Sequence, residues 1–232
     1  TDYPGATLLQ AKGSRLRLVM ETDGSLSLIA SKKSNVRNPD DLKGKNISVS
    51  GNTFVEYATD EVMKRACLHP GEVNKPEINN IPLRLMMLED GQISASFLPG
   101  PATAIALNNG HTALLNTRQM GLRCTGIVFS EKAITEKDEE IRRFITGYNL
   151  GVKYLQTRPQ NEWTEILVKE FGLQEKAAMQ IDLPDYRPAT RPSYHDIEKI
   201  IAWLKSKGAI PDYYPGENLV DTTFIPGTLK PQ

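Results

Sequence analysis

The residues best placed to do chemistry stand at two corners of the chain. Gly51-Asn52-Thr53-Phe54 sits where a short β-rich run, 46–50, feeds a stretch with helical spacing. The first N–H groups of a helix have no partner within it, and the helix dipole puts partial positive charge there. Such a turn therefore receives an anion or a carbonyl oxygen. Asn52 and Thr53 add side-chain donors, and the Phe54 ring can stack on an aromatic ligand or cover an apolar one. The plainer alternative is an ordinary helix N-cap by Asn52 or Thr53. Pro99-Gly100-Pro101 occupies the next strand-to-helix junction. Open α/β sheets bind ligands beyond the carboxyl ends of their strands, so both corners can converge on one rim.

Other candidates have equally plain alternatives. Thr22-Asp23-Gly24-Ser25 either faces a ligand or simply turns the chain. Tyr3, next to a helix start at Pro4, is either a ring at a cleft mouth or a core tyrosine. Asp182, Asp185, Tyr186 and Arg187 form a polar-aromatic loop between helices and read as an exposed connector. Trp163 and Trp203 fall on helix faces and read as core anchors. His69, His111 and His195 lack metal-ligand spacing, and there is no GxSxG elbow or phosphate loop. The adjacent pairs Asp40-Asp41 and Glu139-Glu140 read as solvated charge. No catalytic set, metal site or cofactor is expected.

The elements that must position these residues alternate between period-2 runs and helical stretches, the pattern of an α/β sheet with covering helices. Strands are expected near 16–20, 25–30, 46–50, 93–98, 112–115 and 126–130. Helices are expected over 54–66, 83–89, 101–109, 163–171, 174–181, on an apolar face built from Ile141, Phe144, Ile145, Tyr148 and Val152, and after a Ser193 cap. The 232 residues suffice for two modest lobes with real cores. Lys plus Arg and Asp plus Glu both number 28, so there is no net basic charge with which to displace counterions from nucleic acid. No apolar run approaches the ~20 residues of a membrane span. Cys67 and Cys124 stand far apart, without CxxC spacing, and are expected as free, mostly buried thiols. The opening residues lack the basic and apolar regions of an export signal.

One internal echo organises the whole. Pro4 is followed nine residues later by Gly13 and then a strand, and Pro101 is followed nine residues later by Gly110 and then a strand. Proline suits a first helical turn and glycine a helix end, so the two stretches read as related helix–strand units, one in each of two lobes. The second copy has a leading strand at 93–98 and the first has none, so an N-terminal unit is expected to be missing.

Four stretches resemble a known family. Asp40-Asp41-Leu42-Lys43-Gly44-Lys45-Asn46-Ile47-Ser48-Val49, then Gly51, is similar to the "DLKGKxIxV…G" run that opens the second lobe of type II periplasmic binding proteins. Phe97-Leu98-Pro99-Gly100-Pro101-Ala102 resembles the "LPEP" turn of their nitrate/sulfonate/taurine and thiamin-precursor (NMT1/THI5-like) branch, with Gly100 in place of the usual Glu. Phe129-Ser130-Glu131-Lys132, followed by 140–144, resembles that branch's return to lobe one, and 219–226 its "LVDxSFLP" ending.

The resemblance implies an α/β, periplasmic binding protein-like II fold of two βαβ-type lobes joined by a hinge. Lobe one would comprise 1–30 and 124–232, and lobe two 31–123. It further implies a monomeric solute-binding protein that closes on a small polar or anionic molecule and delivers it to an ABC permease, as a periplasmic protein or an anchored extracytoplasmic lipoprotein. Gly51, Asn52, Thr53, Phe54, Pro99, Gly100, Thr22, Asp23 and Tyr3 would line the interlobe cleft. Gly100 removes a carboxylate from that lining, which disfavours a cationic ligand. An enzyme on the same fold (of pyrimidine or menaquinone biosynthesis) and a periplasmic sensor domain are the alternatives.

Overall fold

In the computed structural model, residues 1–225 are described except 180, 182 and 184. In chain order the elements begin with α1 (Tyr3–Ala11), β1 (Leu16–Thr22), β2 (Leu26–Ala30), a 3-10 turn (Pro39–Leu42) and β3 (Ile47–Ser48). They continue with α2 (Phe54–Arg65), α3 (Ile81–Asp90), β4 (Ala95–Pro99), α4 (Gly100–Asn108) and β5 (Thr112–Asn116). Next come β6 (Thr125–Ser130), α5 (Glu131–Glu136), α6 (Asp138–Thr157), α7 (Gln160–Phe171), α8 (Glu175–Met179) and α9 (Tyr194–Ser206). The anticipated tail motif runs past 225, and the loop at 182–187 includes two of the omitted positions, so both lie partly outside the described residues.

The chain divides into two units. Unit one gathers 1–24, 123–157 and the chain from Asp185 on. Its β1 and β6 form an antiparallel pair, Leu16 opposite Ser130 and Thr22 opposite Thr125. Val19 and Met20 pack with Ile141 and Ile145 of α6 and with Phe224 and Ile225. Asp138, Glu139 and Glu140 in its first turn suit the positive end of α6. α9 is capped by Ser193, which accepts from the Asp196 N–H.

Unit two gathers Ser25–Leu122 and Arg158–Pro184. Its sheet runs β3-β4-β2-β5, with β3 and β4 parallel and β2 antiparallel to both of its neighbours. A strand flanked on both sides reads as a continuous apolar run, and Leu28, Ile29 and Ala30 are all buried. Ile29 and Leu98 meet Leu88 of α3 and Ala102 and Ala106 of α4 in one core. Each large side chain buried there stabilises the unit by about 1.5–3 kcal/mol. α3 is capped by Asn80, which accepts from the Leu83 N–H, and ends at Gly91 with φ 76°, the left-handed conformation glycine adopts without strain.

This division differs from the expected boundaries in two places. β2 hydrogen-bonds to β4 and β5, so the first crossing falls at 24/25 and not after 30. The stretch 158–184, expected in the first lobe, clusters with unit two, where α8 packs on α4. The echoed copies do fall one to a unit: α1 precedes β1, and α4 precedes β5. Their closing glycines, Gly13 and Gly110, both adopt positive φ, 94° and 86°.

Candidate functional site

In unit two the parallel register decides where the two corners lie. Ile47 stands opposite Ala95 and Ser48 opposite Ser96, so β3 and β4 end at the same end of the sheet. The turn into α2 and the turn into α4 leave from that end. The Ser48 and Ser96 hydroxyls hydrogen-bond at 3.0 Å across the pair and are fully buried.

The first corner satisfies most of its own groups. A Cβ on Gly51 would stand 2.7 Å from the nearer carboxylate oxygen of Glu77, the far end of an exposed side chain that can move aside. Asn52 adopts φ 54°, a conformation asparagine tolerates better than most residues. Its N–H donates to Glu56 at 2.8 Å, and Glu56 in turn meets Lys75 at 3.2 Å. Thr53 is the N-cap of α2: its hydroxyl donates to the Ser50 carbonyl at 2.7 Å and accepts from the Val55 N–H at 3.2 Å. Phe54 is 2% exposed and belongs to the core, so its ring offers no stacking face. The plain N-cap is therefore the geometry found, with one exception. The Asn52 Oδ1 is buried and has no hydrogen-bond partner among the described residues.

The second corner is bare. Pro99 is the N-cap of α4 and provides no side-chain cap, and the first turn contains no acidic residue. A Cβ on Gly100 would meet nothing within 4 Å. The first turn of α4 thus has no side-chain cap, and there is room for a methyl group at Gly100.

Sequence reasoning passed over Arg84. It is 2% exposed, donates from Nη1 to the Phe97 carbonyl at 3.3 Å, and has its Nε buried with no partner among the described residues. Burial alone lowers its pKa from the ordinary 12.5. The signal was available, since Arg84 is a lone cation inside the run Leu83-Arg84-Leu85-Met86-Met87-Leu88.

In unit one, the predicted residues Asp23 and Tyr3 meet in a network centred on Arg187, while Thr22 stands apart from it. The Arg187 guanidinium spans Glu21 (Nη2 to Oε1, 2.6 Å) and Asp23 (Nε to Oδ1, 2.8 Å), and its backbone N–H donates to Asp23 Oδ2 at 2.8 Å. Arg123 adds a bond to Asp23 at 3.2 Å. Burial opposes the Arg187 charge, but hydrogen bonds to Asp23 and Glu21 outweigh it and raise the pKa. Tyr3 is 0% exposed and donates to Glu21 at 3.1 Å. Burial, reinforced by the Glu21 charge, drives its pKa well up. It is the core tyrosine of the two readings, not a ring at a cleft mouth. Thr22 donates to the Thr125 hydroxyl at 2.9 Å. The loop read as an exposed connector therefore provides, in Arg187, the cation that bridges both carboxylates of this network.

Cys124 is buried and free, with burial driving its pKa up, whereas Cys67 is exposed, against the expectation of two buried thiols. Its position at φ 53°, just past the end of α2, carries it out of the core. A cavity of about 610 Å³ lined by Met63, Cys67, His69 and Val73 lies at that far end of α2, away from both corners. Among the described residues no group of His, Cys, Asp or Glu is arranged to hold a metal, and no helix is long and apolar enough to cross a membrane.

Comparison with known proteins accords with this architecture. Residues 5–162 match the family model described as NMT1/THI5 like. The chain belongs to the NMT1/THI5-like family. Among solved structures, it resembles the alkanesulfonate-binding protein SsuA from Xanthomonas axonopodis pv. citri bound to MOPS, with 18% identity and a TM-score of 0.76 over 91% of this chain and 75% of that one. The periplasmic aliphatic sulphonate binding protein SsuA from Escherichia coli matches with 13% identity and a TM-score of 0.76, again over 91% and 75%. The desulfurization enzyme DszB shares the fold more loosely, with 12% identity and a TM-score of 0.62 over 95% and 82%. A search of curated proteins finds no match to the sequence. At these identities the likenesses establish the fold of this NMT1/THI5-like chain, the periplasmic binding protein-like fold expected from its motifs.

Proposed function

We propose that this NMT1/THI5-like chain is the solute-binding component of an ABC importer, working outside the cytoplasmic membrane as a periplasmic protein or a lipoprotein. It captures a small polar or anionic molecule of the sulfonate, nitrate or pyrimidine type and presents it to a membrane permease. The observation that carries this reading is the parallel β3–β4 register, which sends two strand-to-helix corners from one end of the sheet. One of them ends in a helix without a side-chain cap, with room for a side chain at its first residue. The names of the SsuA proteins, which are sulfonate-binding, favour the same class of ligand.

The test is calorimetric titration of the purified chain with ethanesulfonate, nitrate and a neutral pyrimidine. At least one is expected to bind at micromolar Kd or tighter. Gly100→Glu is expected to weaken an anion about tenfold, because a carboxylate in the first turn competes for the positive end of α4. Absence of binding by all three ligand types overturns the reading.

The second reading, an enzyme on this fold, draws on the likeness to DszB. It requires turnover of a bound ligand. Mass spectrometry of the ligand recovered after prolonged incubation separates the two, since a carrier returns it unchanged.

A further inference from the structure

We infer that Arg84 supplies the fixed charge of an anion subsite beside the β4–α4 corner. The inference rests on the solute-binding reading above and narrows its ligand to one with a compact oxyanion head. A guanidinium cannot shed its proton in a protein, so burying one always buries a charge. Arginine is almost never fully buried unless paired, because the lost hydration costs more than one neutral hydrogen bond returns. Arg84 is 2% exposed; among the described residues its bond goes to the uncharged Phe97 carbonyl at 3.3 Å and its Nε has no partner. No ion pair reaches it among those residues, whereas Arg187 in unit one holds two carboxylates.

The surroundings are suited to an oxyanion. Phe97 precedes Pro99 by two residues of strand, about 7 Å at 3.3 Å per residue. The guanidinium therefore lies within a short reach of the first turn of α4, which has neither a cap nor an acidic residue. Two sources of positive potential, one a full charge and one a helix end, thus stand two residues apart along β4. With 2% of its surface open, Arg84 can meet only a compact head group at its edge. Sulfonate, nitrate and carboxylate have that form.

The experiment titrates ethanesulfonate, nitrate and a neutral pyrimidine into the wild-type chain, Arg84→Met and Arg84→Lys. The wild type is expected to bind at least one anion. Arg84→Met is expected to lose about tenfold or more of that affinity, the scale of one charge-assisted hydrogen bond, and Arg84→Lys to retain part of it. Without ligand, Arg84→Met is expected to melt at or above the wild-type temperature, since it removes an uncompensated buried charge. If Arg84→Met binds the anion as the wild type does, or melts lower with unchanged affinity, Arg84 merely ties α3 to β4 and the inference is wrong. Should the methionine variant not fold, the Arg84 Nε–H resonance of the wild type decides: it moves on ethanesulfonate or nitrate titration, or the subsite is elsewhere. A wild type that takes the pyrimidine but no anion overturns this inference and leaves the transport reading standing. Binding of neither kind removes both.

Discussion

The two echoed helix–strand copies share a plan and part at their first residues. In unit one, Asp2 caps α1 by accepting from the Gly5 N–H at 2.7 Å. In unit two, the equivalent place before α4 is Pro99, which caps nothing. The contrast extends to the arginines nearby. Arg187 in unit one is held by Glu21 and Asp23, while Arg84 in unit two holds a single carbonyl. One corner has been closed by the protein's own carboxylates. The other leaves its positive potential uncancelled. Local physics is the same in both: a helix end satisfied by its own side chain is architecture, and under the solute-binding proposal the uncapped one is where an anion would sit.

The comparison is broken most forcefully by Asp23→Ala. That change strips Arg187 and Arg123 of a shared carboxylate. Removing one partner of a fully buried pair costs about 3–5 kcal/mol, and the partial exposure of the Arg187 side chain, 37%, lowers the expected loss to about 2–3 kcal/mol. Urea unfolding measures it. A loss below about 0.5 kcal/mol, the scatter of ordinary surface changes, would mean the network is ornamental and that pairing does not distinguish the two units. Asp2→Ala follows, at about 1 kcal/mol for a lost N-cap, with no effect on ligand affinity.

The sequence declared more of the fold than of the site, and particular residues show why. Pro4, Gly13, Pro101 and Gly110 announce helix ends through their own backbone preferences, and the β-rich runs at 16–20 and 93–98 are local patterns. Ser193 was legible as a cap for the same reason, and it caps α9. The division of the chain was harder. Whether β2 belongs with β1 or with the later strands depends on its hydrogen bonds to β4 and β5, which no local pattern records. The two corners do leave one end of a sheet, but residue by residue the candidate site was less legible. Thr53 and Phe54 have the types a receptor needs, but capping and burial claim them. Arg187 reads as a solvated loop residue because its partners Glu21 and Asp23 lie more than 160 positions away in sequence. Arg84 escapes notice because the apolar run around it announces a buried helix and distracts from the charge inside.

High pH sharpens the comparison in unit one, where polar groups are buried with partners. Burial raises Tyr214 from the ordinary 10.0 to about 12, and its hydroxyl donates to Gln10 at 2.5 Å. A group whose pKa is higher in the folded state holds its proton more tightly there. Its contribution is complete below pH 10 and is lost as pH climbs from 10 towards 12. Tyr3 is shifted in the same direction, by burial and by Glu21. Phenolate absorbance should therefore rise in two stages, with Tyr3 and Tyr214 ionising only as the chain unfolds. A single stage with all eight tyrosines titrating together would show that the Tyr3–Glu21 contact is open to water.

The smallest expected effect belongs to Gly100→Ala, and its smallness is the point. Gly100 is at the start of α4, its φ is not in the left-handed region, and an added methyl group would meet nothing within 4 Å. Glycine is thus required there neither by conformation nor by packing within unit two. Replacing it should raise stability by about 0.4–1 kcal/mol, through the lower entropy of the unfolded chain. A shift in melting temperature of a few degrees or less is expected. If an oxyanion sits in front of α4, the same methyl group stands in its approach. Alanine should then stabilise the empty protein while weakening the anion, and that opposition separates a glycine kept for its ligand from one kept for its fold. Equal affinity with higher stability would leave Gly100 without a role in binding and shift the anion's contacts towards Arg84 alone.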